Sequence, residues 1–401
     1  MNKTLPLDGV TVLELALLGP IAHCTMMLAD MGAEVIKLEI PGSAQRAGLE
    51  MELREFWAPL DRNKKSIAIS LKREGGREIF HKLVKTVDVI IEGFRPGVTN
   101  RLGADYKTVK EINPGIIYCS VSGYGQSGPY SHLPGHDVNY ISLGGALGLL
   151  GDKDSLPVIP LNFIADAAAA NMQAVIGILL ALMARDKTGE GQQVDISYLD
   201  GVIWLLAGTP ALMSYLRDGT PPRRGEMMLN GIYPYYNTYK TKDGEYISIA
   251  CFEARFWENL CRALDREDFF PYHFRVEHYS KAPEGKGWAE VLSFLRSAFL
   301  SKTRDEWFEF LAKKDVCVGK VYSLDEVFKD PQVLAREMIT KTQDPNLGEI
   351  QQIGIPIKLL GTPGRIRSGW PPFGQHTSEI LKELGYAPDD IARSRSQGIV
   401  E

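Results

Sequence analysis

The first 130 residues alternate short β-rich apolar runs with helix-length stretches. Residues 10–15, 35–38, 66–71, 88–93 and 116–121 read as strands. Between them, 21–31, 76–87 and 106–112 carry apolar residues at helical spacing; the first helix is begun by Pro20 and stopped by Gly32. This alternation predicts right-handed crossovers and a doubly wound parallel α/β sheet. Ligands of such sheets bind beyond the carboxyl ends of the strands, here 16–20, 94–97 and 122–128.

Two long apolar helices are expected at 167–185 and 202–215. The pattern then changes. Gly219-Thr220-Pro221-Pro222-Arg223-Arg224-Gly225 reads as a loop. Strand-like 235–239 and 246–250 flank Lys242-Asp243-Gly244, which predicts a hairpin. Residues 256–264, 288–299 and 304–313 are helical by spacing, so 225–330 reads as a smaller α+β domain. Pro and Gly are frequent after Gln351, and the chain closes with a helix at 377–384. No internal repeat stands out.

Composition narrows the function. The net charge of -5 argues against nucleic-acid binding, which needs a basic excess, but leaves room for a small anionic ligand. The five cysteines have no CxxC spacing and most lie in apolar runs, as expected of reduced thiols in a cytoplasmic protein. The first residues hold no secretory apolar core. No apolar run is expected to span a bilayer: 165–184 comes closest, and Asp166, Asn171 and Gln173 interrupt it.

Gly123-Tyr124-Gly125-Gln126-Ser127-Gly128 matches GxGxxG after a strand. Pro129 and Pro134 follow where a dinucleotide fingerprint needs a helix, so a Gly-rich active-site loop is the better reading. His132 and His136 have HxxxH spacing, but Leu133-Pro134-Gly135 between them is not helical and no Cys or Glu ligand stands nearby, so no metal is expected. His136, Asp166 and Glu253 each lie in an apolar setting, and one imidazole with two carboxylates suits proton transfer at carbon. Each also has an ordinary reading: a structural or surface histidine, an N-cap before 167–185, and a first-turn residue near 254–264. Basic residues cluster at Arg62-Asn63-Lys64-Lys65 and Lys72-Arg73, and Arg95 and Arg101 flank a strand end. Phe94-Arg95-Pro96-Gly97 before a helix start offers N–H groups and a guanidinium to a phosphate.

Together, Leu7-Asp8-Gly9-Val10-Thr11-Val12-Leu13-Glu14-Leu15, Asp30-Met31-Gly32-Ala33-Glu34-Val35-Ile36-Lys37-Leu38-Glu39, Arg62-Asn63-Lys64-Lys65-Ser66, Phe94-Arg95-Pro96-Gly97, the Gly-rich loop and the closing Gly374-Gln375-His376-Thr377 resemble the class III CoA-transferases over nearly the whole chain. The resemblance implies a Rossmann-like large CoA-binding domain built from both chain ends, 1–205 and 340–401. It implies a small domain at 225–330, with 206–224 and 331–339 as linkers, and two subunits interlocked as a homodimer. Acyl-CoA thioesters are the implied substrates, without a separate cofactor, since coenzyme A is part of the substrate. Arg95, Arg101, Lys64 and Gly125 are the implied CoA contacts.

Gly135-His136-Asp137-Val138-Asn139-Tyr140, with Pro160-Leu161-Asn162, Asp166 and Glu253, resembles the α-methylacyl-CoA racemase branch of that family. Transferases usually carry an aromatic residue in place of the histidine. Those of the formyl-CoA type also have a run of glycines where this chain reads Met227-Met228-Leu229-Asn230-Gly231-Ile232-Tyr233-Pro234. Ile40 stands where many members carry an arginine that reaches phosphate. The branch implies His136 and Asp166 as acid and base on opposite faces of the α-carbon. Glu253 would lie beside His136 and orient it or share its proton, and the Asp137 N–H would hold the enolate oxygen. In the transferases the matching aspartate instead attacks the acyl-CoA. A CoA-binding regulator would need no proton-transfer residues. Met227, Met228, Leu229, Ile232 and Tyr233 are either an apolar surface for the acyl chain or ordinary packing.

Overall fold

The computed structural model describes residues 4–15, 21–42, 58–273, 286–344 and 348–401. Six strands form one parallel sheet: β1 (Thr11–Leu15), β2 (Glu34–Glu39), β3 (Lys64–Ala68), β4 (Val89–Glu92), β5 (Ile117–Ser122) and β6 (Gln193–Ser197). Their order is β3-β2-β1-β4-β5-β6, with Val12 opposite both Val35 and Val89. This is a Rossmann order. It reverses direction between β1 and β4, which places the binding crevice at the carboxyl ends of those strands.

The period-two alternation gives the sheet two unlike faces. On one, Leu13, Leu15, Ile36, Leu38, Ile67 and Ile90 form a buried apolar layer. Helices α1 (Ile21–Asp30), α2 (Glu74–Val84), α3 (Val98–Leu102) and α4 (Tyr106–Ile112) occupy the crossovers. Phe80, Leu83 and Val109 join the same core, as do Ile380, Leu381 and Ile391 from near the chain's end. Ile69 bridges to Val400, so both ends of the chain meet on one sheet.

The other face carries buried charge. The Lys64 ammonium lies 2.9 Å from Glu14 and 2.9 Å from Asp61, and donates to the Ala22 carbonyl at 3.1 Å. Lys37 also pairs with Asp61, and Arg62 grips Asp30 through Nε at 3.1 Å and Nη2 at 2.6 Å.

Several elements differ from the sequence expectation. The edge strand β6 is a polar–apolar alternation, Gln193-Val194-Asp195-Ile196-Ser197, too polar to stand out beside the Val/Ile-rich central strands. The expected helix at 202–215 is two, α7 (Tyr198–Leu206) and α8 (Pro210–Asp218). Pro210 cannot continue a helix but opens one, and Thr209 caps it by accepting from the Leu212 N–H at 3.3 Å. A hairpin, β10 (Ile339–Asp344) and β11 (Gly348–Ile353), was not anticipated. The apolar helix begins earlier and ends later than expected. A π-helical stretch, Phe163–Asn171, runs into α6 (Met172–Thr188), and the whole is long and apolar enough to cross a membrane by length and composition. The strand end at 16–20 lies outside the described residues.

The chain divides into two compact units, 1–141 with 161–202 and 331–401, and 142–160 with 203–330. Residues 142–160, expected with the large domain, cluster with the second unit. There β7 (Tyr236–Lys240), β8 (Tyr246–Ala250) and β9 (Val318–Lys320) form an antiparallel sheet. Helices α9 (Ala254–Ala263), α10 (Lys286–Phe299) and α11 (Arg304–Ala312) accompany it. Its core is aromatic; the Trp257 and Trp307 indoles donate to the carbonyls of Phe269 and Phe299 at 2.9 and 2.8 Å.

Candidate functional site

His136 stands at the mouth of a short helix, α5 (Asp137–Leu143), after the loop that leaves β5. Its backbone N–H donates to the Asn139 side-chain oxygen at 3.0 Å, while its carbonyl accepts from the Asn139 N–H at 2.8 Å. The imidazole is left exposed.

Tyr140 sets the path of the chain before His136. Its hydroxyl donates to the Gly135 carbonyl at 2.5 Å, and its ring stacks on Tyr198 at 4.9 Å between centroids. A Cβ at Gly123 or Gly135 would stand 2.7 or 2.6 Å from Tyr140 Cε1. Only glycine at both positions lets the Gly-rich loop and the His136 segment close on the same ring.

Asp166 lies inside the π-helical stretch and is not the N-cap that sequence reading allowed. Asn162 holds the cap position, and its carbonyl accepts from the Ala167 N–H, five residues on, at 3.3 Å. Such wide turns are rare and recur at functional sites. Burial pushes the Asp166 carboxyl up to about 6; Asn162 and the nearby His136 pull it down, and the Asp137 carboxylate pushes it further up. An acid that titrates near neutrality can both take and return a proton.

Asp137 brings the two segments together. Its Oδ2 accepts from the backbone N–H of Ala165 at 2.8 Å and of Asp166 at 3.0 Å. Its own N–H stands in the first turn of α5, where no intrahelical acceptor exists. His136, Asp137 and Asp166 thus form one constellation in the first unit. Glu253 belongs to the second unit, where it is the exposed N-cap residue of α9 and accepts from the Phe256 N–H at 3.0 Å through its carbonyl.

Among the basic residues, Arg101 and Lys72 line a cavity of about 350 Å³ whose walls include Leu15, Leu38, Ile40, Ile69 and Phe94. These residues stand at the carboxyl ends of β1 to β4 or just beyond, at the crevice the strand order dictates. Ile40 therefore adds apolar wall where an arginine would add charge. Burial pushes the Tyr140 phenol up to about 12, and Arg95, exposed on the β4–α3 loop, is near enough for its charge to offset part of that rise. Lys64 does not belong with them: its ammonium is fully buried and spent on Glu14 and Asp61, so it is a structural cation rather than a CoA contact. Gly125 is backbone only, at φ +84°, and the neighbouring Gln126 N–H donates to Asp195 on β6 at 3.1 Å. Asp195, Tyr140 and Tyr198 were missed by sequence reasoning. Recognising β6 by its alternation would have placed the first. A larger depression of about 540 Å³ lies at the amino ends of β1 to β3, away from these groups. Lys65, on its wall, is paired with Glu34 and Glu379 at 2.8 and 3.0 Å. Among the described residues no cluster of three or more His, Cys, Asp or Glu could hold a metal ion.

Comparison with known proteins bears on the family. Residues 7–377 match the model of CoA-transferase family III. The alpha-methylacyl-CoA racemase of Homo sapiens is 32% identical over 397 residues, covering 98% of this chain and 97% of that protein. The succinyl-CoA–D-citramalate CoA-transferase of Chloroflexus aurantiacus is 33% identical over 403 residues, with 98% of each chain covered. A CAIB/BAIF family protein from Brucella suis has a similar structure, with a TM-score of 0.79 and 31% identity over 95% of this chain and all of that one. The chain belongs to CoA-transferase family III.

Proposed function

We propose that the protein is a racemase or epimerase of 2-methylacyl-CoA thioesters. The observation that carries this reading is the constellation at the head of α5: an exposed imidazole, and a carboxyl that titrates near neutrality, on segments tied by one buried carboxylate. Racemase and transferase relatives are about equally similar, so overall identity does not choose between them. His136 supports proton transfer, because an imidazole has a direct use there, whereas forming an aspartyl anhydride calls on the carboxylate of Asp166.

One group removes the α-proton, and the C–H electron pair moves into the thioester carbonyl to give an enolate. The other group returns a proton on the opposite face, and the enolate pair re-forms the C–H bond. His136 and Asp166 take these roles, exchanging them with the direction of reaction. The Asp137 N–H would stabilise the enolate oxygen. Arg101 and Lys72 would meet the phosphates or ribose of CoA at the mouth of their cavity, with Arg95 nearby on the sequence. The outward side of α6 exposes Met172, Ile176, Leu180 and Met183. A continuous apolar stripe of this kind is expected to be covered, here by a second copy in an interlocked homodimer. Measuring α-proton exchange and CoA transfer side by side tests the assignment: transfer to an added acid without exchange would make Asp166 a nucleophile instead.

A further inference from the structure

A helix leaves its first N–H groups without intrahelical acceptors, and a π-helical start leaves one more than an α-helix. In the stretch Phe163–Asn171 two of these donors, at Ala165 and Asp166, are satisfied from outside by the Asp137 carboxylate. That carboxylate is 29 residues back in the chain from Asp166 and adjacent to His136. Asp137 is only 6% exposed, and its second oxygen, Oδ1, is buried with no hydrogen-bond partner among the described residues. An unpaired buried oxygen lowers stability, so folding alone does not explain an ionisable residue here.

We propose that Asp137 is a positioning residue whose carboxylate clamps the backbone that carries Asp166 to the segment that carries His136. The clamp is a matter of main-chain geometry; the consequence for activity rests on the racemase reading. It holds the two reacting groups in register by a single side chain. A carboxylate is also the favoured partner of a helix N-terminus. The arrangement has an electrostatic side. The groups that interact with the Asp166 carboxyl are Asn162 one turn before it, Asp137 and His136 on the α5 side, and the phenols of Tyr140 and Tyr198. Asp137 is the anion among them that pushes Asp166 towards its neutral form.

Two variants separate these effects. Asp137→Asn keeps an oxygen able to accept both N–H groups but removes the charge; Asp137→Ala removes both. Backbone amide exchange in the 163–171 segment is followed by mass spectrometry. Turnover of both enantiomers of a 2-methylacyl-CoA is followed against pH. The clamp predicts faster amide exchange in D137A, with kcat down on the order of 10²-fold and KM nearly unchanged. D137N should keep the amide protection, lose less kcat than D137A, and move the acidic limb of its pH profile to lower pH. Wild-type amide exchange in D137A would overturn the clamp, and so would wild-type kcat in that variant. An unmoved acidic limb in D137N would overturn the electrostatic part. If D137A does not fold, Asp137→Ser, whose shorter hydroxyl cannot span both N–H groups, takes its place: faster amide exchange is expected there, and wild-type amide exchange would overturn the clamp. A wild-type enzyme that transfers CoA without α-proton exchange would remove the racemase reading, while amide exchange would still judge the clamp.

Discussion

Asp166 is a half-buried carboxyl, and burial is the largest influence on its protonation. Raised from 3.8 to about 6, it disfavours the charged form in the folded state. The sign for stability follows. Below pH 4 the group is neutral whether folded or unfolded and costs nothing. As pH rises through the window from about 4 to 6 the unfolded chain loses its proton first, and stability falls. Asp166→Asn should therefore raise the melting temperature at pH 8 while leaving it nearly unchanged at pH 4; an equal gain at both would contradict the assignment. In catalysis, Asp166→Ala and His136→Ala should each lower racemisation by about 10²–10⁴-fold or more. Each variant should retain slow α-proton exchange from one enantiomer, with opposite preferences, as measured by deuterium incorporation. The candidate site was legible in the sequence where chemistry and motif coincide, at His136, Asp137 and Asp166. The carboxylate of Asp137 was not, because nothing in a linear pattern shows that residue 137 meets the amides of 165 and 166.

At the scale of elements, two sets of basic residues look alike in sequence and part company in the fold. Lys64 opens β3, and alternation sends it to the charged face of the sheet; Lys72 and Arg101 lie past strand ends, where ligands bind. Arg101→Ala should weaken CoA binding by about 1.5–3 kcal/mol, read by calorimetry at low salt, with thermal stability unchanged. Lys64→Ala should instead leave Glu14 and Asp61 buried without their cation and cost about 3–5 kcal/mol of folding stability, read by denaturant unfolding. A stable K64A protein with selectively impaired CoA binding would reverse these roles. The Tyr140 contacts make a parallel case. Gly135→Ala should displace the backbone before His136 and cost about 1–3 kcal/mol of stability, with a disproportionate fall in kcat. The central strands and crossover helices were readable because each is a concentrated apolar run. The edge strand β6, the hairpin β10–β11 and the Pro210 break were not, since tertiary pairing and a single proline decide them.

For the whole molecule, the closing residues complete a core begun at the amino terminus. The motif around His376 made this expectable, and the bridge from Ile69 to Val400 is its physical form. The apolar stripe on α6 bears on the proposed homodimer. Leu180→Asp combined with Ile176→Asp should shift the protein from dimer to monomer in sedimentation velocity; a wild-type protein that sediments as a monomer would contradict the interlocked assembly. Incubating the protein with one enantiomer of a 2-methylacyl-CoA in deuterated water, without any acceptor acid, separates racemisation from CoA transfer. A racemase gives deuterium at the α-carbon together with formation of the other enantiomer, and in D166A the other enantiomer no longer forms. Retained configuration and no deuterium uptake, with CoA transfer once a carboxylic acid is added, would contradict the racemase reading.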